Sequence, residues 1–159
     1  MNCFENILEK RITSIQRLDT SADYEFHSPY AIIFTIEGQT EKLIISATND
    51  GTSVDVRLTT DQQIESDYGL EFSESILNAL KNEDELSKFI GDTIESIKIA
   101  EYISQEIAGV DFVIQRGKFA GVDLKTKEHK LLFHNNYGGW CDIDDNIAEL
   151  PNKDSLRWK

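Results

Sequence analysis

Apolar residues recur along this chain at two different spacings. Phe4, Ile7, Leu8, Ile12 and Ile15 fall three and four positions apart, which predicts an amphipathic helix over residues 2–17. Asn2 is a suitable cap for it. The period then shortens. Tyr30 to Thr35 and Lys42 to Ala47 are rich in β-branched and aromatic residues, and Glu37-Gly38-Gln39 between them reads as a hairpin turn. Asn49-Asp50-Gly51 is a second turn signal, and Val54 to Leu58 alternates cleanly. These segments predict an antiparallel meander.

Thr59 to Glu71 is polar and acidic, and reads as a loop. Helical spacing returns over Ser73 to Leu80 (Ile76, Leu77, Leu80) and over Asp84 to Ile90 (Leu86, Phe89, Ile90). From Thr93 the pattern is strand-like again. Ile94, Ile97 and Ile99 lead to Tyr102, and Val110–Gln115, Gly121–Lys125, Lys130–His134 and Trp140–Ile143 follow as antiparallel strands. Arg116-Gly117-Lys118, Lys127-Glu128 and Tyr137-Gly138-Gly139 are placed to turn them. The tail after Ile147 is polar, and Pro151 makes it a poor continuation of any regular element. The fold class expected is α+β: antiparallel meandering sheet with a few helices packed on one side, in a single domain over 1–159.

The two parts of the chain resemble each other. Ile7–Gln16 aligns with Phe89–Lys98 at an offset of 82, Lys42–Ile45 with Lys130–Phe133 at 88, and Val54-Asp55-Val56 with Cys141-Asp142-Ile143 at 87. Any two helix-plus-meander units share such blocks, so the likeness has two readings. Under a true duplication the halves span about 2–58 and 84–144, and function is expected where they differ. They differ most at the second glycine turn. Thr48-Asn49-Asp50-Gly51-Thr52 is small and polar, whereas Asn136-Tyr137-Gly138-Gly139-Trp140 carries two large aromatics.

Composition changes the picture mainly through charge. The 159 residues include 16 Lys and Arg against 29 Asp and Glu, a net charge of −13. Such a field repels phosphate, which disfavours direct nucleic-acid binding, and attracts a basic partner. Solubility alone would also account for it. Two cysteines, Cys3 and Cys141, are too few for a disulfide scaffold. Neither a secretory leader pattern nor a membrane-length apolar run is evident, so the expected setting is a reducing cytoplasm with both thiols free.

Candidate chemistry is thin. His129 and His134 are an odd number apart on or beside a strand, so they point to opposite faces and are poorly placed to share a metal. A Cys141–His134 nucleophile pair is conceivable across neighbouring strands, but Cys141 aligns with Val54, as a small core residue would. Asp142-Ile143-Asp144-Asp145-Asn146 crowds carboxylates without the glycine and glutamate of a calcium-binding loop. No glycine-rich phosphate loop is present. What remains is surface. Tyr137 and Trp140 flank the Gly-Gly turn, with Asp142, Asp144 and Asp145 just beyond, and Asp67, Tyr68 and Glu71 form a second acidic, aromatic stretch. Aromatic anchors beside acids suit protein recognition. The plain alternatives are a Trp140 packed inward and a solvated acidic face.

With its run Phe89–Ile97, its hairpins and the Phe133–Trp140 segment, this small acidic chain resembles the immunity proteins of contact-dependent growth inhibition and related polymorphic toxin systems. The resemblance covers most of the chain in style and carries over no functional residue. It implies a protein that needs no cofactor and no membrane. Such a protein binds the C-terminal toxin domain of a secreted effector, often a basic nuclease, and blocks its active site. Two other readings stand beside it: a small hydrolase-like enzyme using Cys141 and His134, and a cytosolic protein-interaction module.

Overall fold

The structure is a computed structural model, and it describes residues 3–19, 24–47, 54–68, 76–102, 119–135, 139–144 and 156–158. A 3-10 turn, Glu5–Ile7, leads into β1 (Ile12–Asp19), β2 (Ala31–Ile36), β3 (Lys42–Ala47) and β4 (Val54–Thr59). Helix α1 (Asp61–Tyr68) and strand β5 (Ile76–Ala79) follow. A second 3-10 turn, Glu85–Phe89, then leads into β6 (Ile94–Tyr102), β7 (Phe119–Thr126), β8 (Lys130–Asn135), β9 (Gly139–Ile143) and β10 (Leu156–Trp158). The architecture is α+β, dominated by antiparallel strands, with one α-helix among the described residues.

The ten strands among the described residues join one hydrogen-bonded network, but it divides into two meanders. The first runs β5-β1-β2-β3-β4 and the second β10-β6-β7-β8-β9. They meet at Val54 against Phe119 and at an isolated bridge between Arg11 and Thr93. Their facing sides enclose one core. Ile15, Phe34, Leu43 and Val56 from the first meander pack with Ile97, Leu124, Leu131, Phe133 and Cys141 from the second. Leu86 and Phe89 of the second 3-10 turn complete that cluster. Each fully buried large side chain stabilises by roughly 1.5–3 kcal/mol.

Three expected helices differ from the structure, each for a physical reason. Residues 12–19 form strand β1 rather than the end of a helix over 2–17. A register shift between Ile12 and Ser14 inserts one extra residue, so Ile12 and Ile15 both reach the core at a spacing of three. A β-bulge thus imitates a helical stripe. The Ser73–Leu80 segment contains β5, whose pairing with the outer edge of β1 no local spacing reveals. Over Asp84–Ile90 the chain makes a 3-10 turn, capped by the Asp84 carboxylate on the Leu86 N–H. At three residues per turn Leu86 and Phe89 stack inward, and Ile90 is left 45% exposed.

Two polar segments also hold regular structure. Within the expected loop at Thr59–Glu71 lies α1, where Ile64 is the one buried residue. Thr60 Oγ1 accepts from the Gln63 N–H at its start. Thr60-Asp61-Gln62-Gln63 has the spacing of a capping box, the one local signal of this helix. The polar tail contains β10, which pairs with β6. The expected strand at Val110–Gln115 and the turns at Asn49-Asp50-Gly51, Arg116-Gly117-Lys118 and Tyr137-Gly138 lie outside the described residues.

The two meanders carry the same pairing pattern. Ile12 pairs with Ile36 and Ile94 with Thr126, and the register shift that follows Ile12 recurs after Ile94. Leu18 opposite Ala31 corresponds to Ala100 opposite Gly121, and Ile33 opposite Ile44 to Asp123 opposite Leu132. The correspondence extends past Val54–Leu58 to β5 on β1 and β10 on β6. It also moves one alignment. Cys141 pairs with Phe133 as Val56 pairs with Ile45, so the counterpart of Cys141 is Val56 and not Val54.

Candidate functional site

Strand β9 is the edge of the second meander, and its alternation decides what each residue can do. Cys141 points into the core and is 1% exposed. Its neighbours Trp140 and Asp142 therefore occupy the outer face, the side away from the core. There Asp142 is a double acceptor. His134 Nε2 donates to Oδ2 at 2.9 Å and Trp140 Nε1 donates to Oδ1 at 3.1 Å. The half-buried Trp140 ring stacks on His27, with centroids 5.9 Å apart and planes at 24°. The backbone also ties this segment down, because Cys141 N–H donates to the His27 carbonyl at 2.8 Å. Trp140 is thus held on the outer face, neither buried in the core nor loose.

Asp144 closes the same edge. Its N–H donates to the Lys130 carbonyl at 2.7 Å, and its carboxylate accepts from Lys130 N–H at 3.1 Å. His129 Nδ1 lies 3.2 Å from the other oxygen. Partial burial opposes ionisation, yet the Lys130 N–H and the His129 ring outweigh it and hold this carboxyl below its ordinary range. Asp144 itself takes φ 63°, a left-handed turn tolerated better by Asp than by most residues.

The remaining expected residues fall elsewhere or outside the described chain. Asp67 and Tyr68 sit on α1, which packs over the outer face of the first meander. Asp67 accepts from Arg57 at 2.7 Å and from Gln63 at 2.7 Å. Tyr68 meets Tyr30 edge-on, with centroids 6.0 Å apart. These two lie over the first meander, whereas Trp140, Asp142 and Asp144 lie on the second, so the structure yields two patches and not one. Tyr137, Asp145 and Glu71 lie outside the described residues.

The Cys141–His134 pair is not assembled. His134 is opposite Trp140 and Cys141 is opposite Phe133, so imidazole and thiol leave opposite faces of the sheet. Burial pushes the Cys141 thiol well above its ordinary range, which removes the thiolate a nucleophile needs. The two histidines near β8 serve different carboxylates, His129 with Asp144 and His134 with Asp142.

The most elaborate polar cluster escaped the sequence patterns. Arg17, fully buried in β1, donates through Nη2 to Asp19 at 2.8 Å and through Nη1 to Asp84 at 2.8 Å. It also donates to the carbonyls of Glu25 and Phe26 and lies 4.0 Å from the centre of the Tyr24 ring. Tyr24 in turn donates to Asp84 at 2.5 Å, and Asn78 to Asp19 at 2.7 Å. Burial by itself would lower the Arg17 pKa, but the hydrogen bonds to Asp19 and Asp84 raise it. Every carboxylate here has a donor, and the cluster ties β1, β5, the Tyr24–Phe26 segment and the second 3-10 turn together. It is a structural clamp. The sequence signal was only an Arg and an Asp on either side of Leu18 near the end of β1.

No protein-family model matches this chain, no curated protein matches it, and no solved structure matches its fold. No helix among the described residues is long and apolar enough to cross a membrane.

Proposed function

We propose that this chain is an immunity-type inhibitor that binds a basic toxin domain, nuclease-like in its charge, and covers its active site. The observation that carries the reading is the β9 edge on a chain of net charge −13. There Asp142 and Asp144 are fixed by hydrogen bonds, and Trp140 is held beside them on the outer face. Carboxylates held in place stand where phosphates would meet the toxin, and a fixed indole adds buried area at little entropic cost. The opposite charges would speed encounter and make it sensitive to salt. The reading needs no cofactor, no membrane and no direct contact with nucleic acid.

The test is co-expression with basic nuclease-type toxin domains, paired with binding measured across salt concentrations. Protection from growth arrest, with affinity falling as salt rises, supports the proposal. Trp140→Ala is expected to weaken binding by about 2 kcal/mol. Continued growth arrest together with no binding at low salt would overturn it.

A further inference from the structure

An open cleft of about 240 Å³ indents the outer face of the first meander, on the side of α1 that faces β5. Gln16 and Ile33, paired across β1 and β2, form its floor. Asp61, Ile64 and Glu65 of α1 make one wall and Leu77 of β5 the other, and Lys42 also lines it. Ile33 and Ile64 are buried, whereas Leu77 is 41% exposed. The second meander does not repeat this apolar floor. Its counterparts of Gln16, Ile33 and Lys42 are Lys98, Asp123 and Lys130, all of them charged.

The charges of the lining do not cancel. Asp61 and Glu65 stand one helical turn apart, a like-charged pair that works slightly against α1 itself. Lys42 is the one cation of the lining, and it pairs with Asp61 at 2.7 Å. Among the described residues, Glu65 has no ion-pair partner and the Gln16 amide no hydrogen bond. The cleft therefore offers an apolar wall, an unpaired carboxylate and an unused amide, all open to solvent.

We propose that this cleft receives one long basic side chain, a lysine or arginine, from a protein partner. The alkyl stem lies on Leu77, Ile33 and Ile64, as such stems cover apolar surface while their charged ends stay in water. The cation meets the Glu65 carboxylate and the side-chain oxygen of Gln16. Small-molecule sites usually enclose ~300–1,000 Å³, so this cleft is sized for a side chain and not for a larger ligand. The net charge of −13 favours approach of a basic partner from longer range. The assignment of the side chain to a toxin domain rests on the reading above, whereas the cleft rests on its own lining.

The test titrates the full chain with N-acetyl-lysine methylamide and follows the methyl resonances of Ile33, Ile64 and Leu77. Saturable shifts at these residues, with roughly millimolar affinity, are expected. The norleucine counterpart keeps the stem and lacks the ammonium, so it should bind about three-fold more weakly. The lysine probe should lose about as much in Glu65→Gln, and Leu77→Ser should weaken both probes. Glu65 and Leu77 are exposed, so neither change threatens the fold. Equal titrations of the two probes, or shifts unchanged in both variants, would overturn the assignment. If the lysine probe binds but no basic toxin domain is neutralised, the cleft stands and the immunity reading falls. If a toxin domain is bound equally well by wild type and Glu65→Lys, the reading stands and the cleft falls as its contact.

Discussion

Arg11 and Thr93, 82 positions apart, face each other across an antiparallel bridge, and the same offset relates the hydrogen bonds around that bridge to one another. Glu9 N–H donates to the Ile94 carbonyl, and Gly91 N–H to that of Ile12. Ile12 N–H donates to the Asp92 carbonyl, and Ile94 N–H to that of Lys10. Each bond has its counterpart at the same offset, so a local pseudo-two-fold relates the entries to the two meanders.

The symmetry sets Glu9 at φ 60° against Gly91 at φ 94°. Both positions need the left-handed region, and only one has the residue suited to it. Gly91→Ala is expected to cost about 1 kcal/mol, from the backbone alone, since a Cβ there meets nothing within 4 Å. Glu9→Gly is expected to cause no loss, because relief of strain offsets the added chain entropy. Urea denaturation of the two variants checks both signs.

Removing the clamp at Arg17 should be severe. Arg17→Ala leaves Asp19 and Asp84 buried without their cation, an expected loss of about 3–5 kcal/mol. Arg17→Lys should recover little of it, since one ammonium cannot span both carboxylates and two carbonyls. A loss under about 1 kcal/mol in a denaturation curve would show that the cluster is not a clamp.

Tyr24 should ionise later than an ordinary phenol. Burial, and then its hydrogen bond to Asp84, push its phenol up from 10.0 to about 12. The pKa is raised in the fold, so Tyr24 contributes stability that is present below pH 10 and lost as pH rises through about 12. Phenolate absorbance should show a late component that is lost in Tyr24→Phe.

The two cysteines should separate by reactivity. Cys3 is exposed and Cys141 buried, so a thiol reagent should label one site on the folded chain and the second only after unfolding. Rapid labelling of both in native buffer would contradict the buried position of β9.

Two carboxyls should respond to pH with opposite signs. Burial raises the Asp123 pKa above 3.8 against the pull of Lys130, Lys98 and Lys125. Its contribution is therefore present below 3.8 and lost as pH rises through the folded value, so Asp123→Asn should raise the melting temperature at neutral pH and lose that advantage in acid. The Asp144 pKa is lowered, so its contribution is present above 3.8 and lost as pH falls through the folded value. Asp144→Asn should destabilise at neutral pH, and the difference should vanish in acid.

Much of the fold was legible. Strands β2, β3, β4, β7, β8 and β9 were readable because each is a short run of β-branched, aromatic or alternating apolar residues bounded by turn residues, a property of the local chain. Of the expected recognition residues, Trp140, Asp142 and Asp144 do share one edge, because one short strand and its end carry all three.

The sequence by itself determined the acidic charge, the antiparallel strands and the likeness of the two halves, since these depend on composition and on spacing within a few residues. Only the tertiary structure decided the rest. It turned Ile12 and Ile15 into a bulged strand, since a period of three has the same appearance in a bulge and in a helix turn. It paired Ile76–Ala79 with an edge formed some sixty residues earlier. It sent Cys141 and His134 to opposite faces, because register, and not proximity along the chain, sets direction. And it placed Asp123 where the first meander has Ile33, a contrast that emerges only when both sheets are laid on the same pairing pattern.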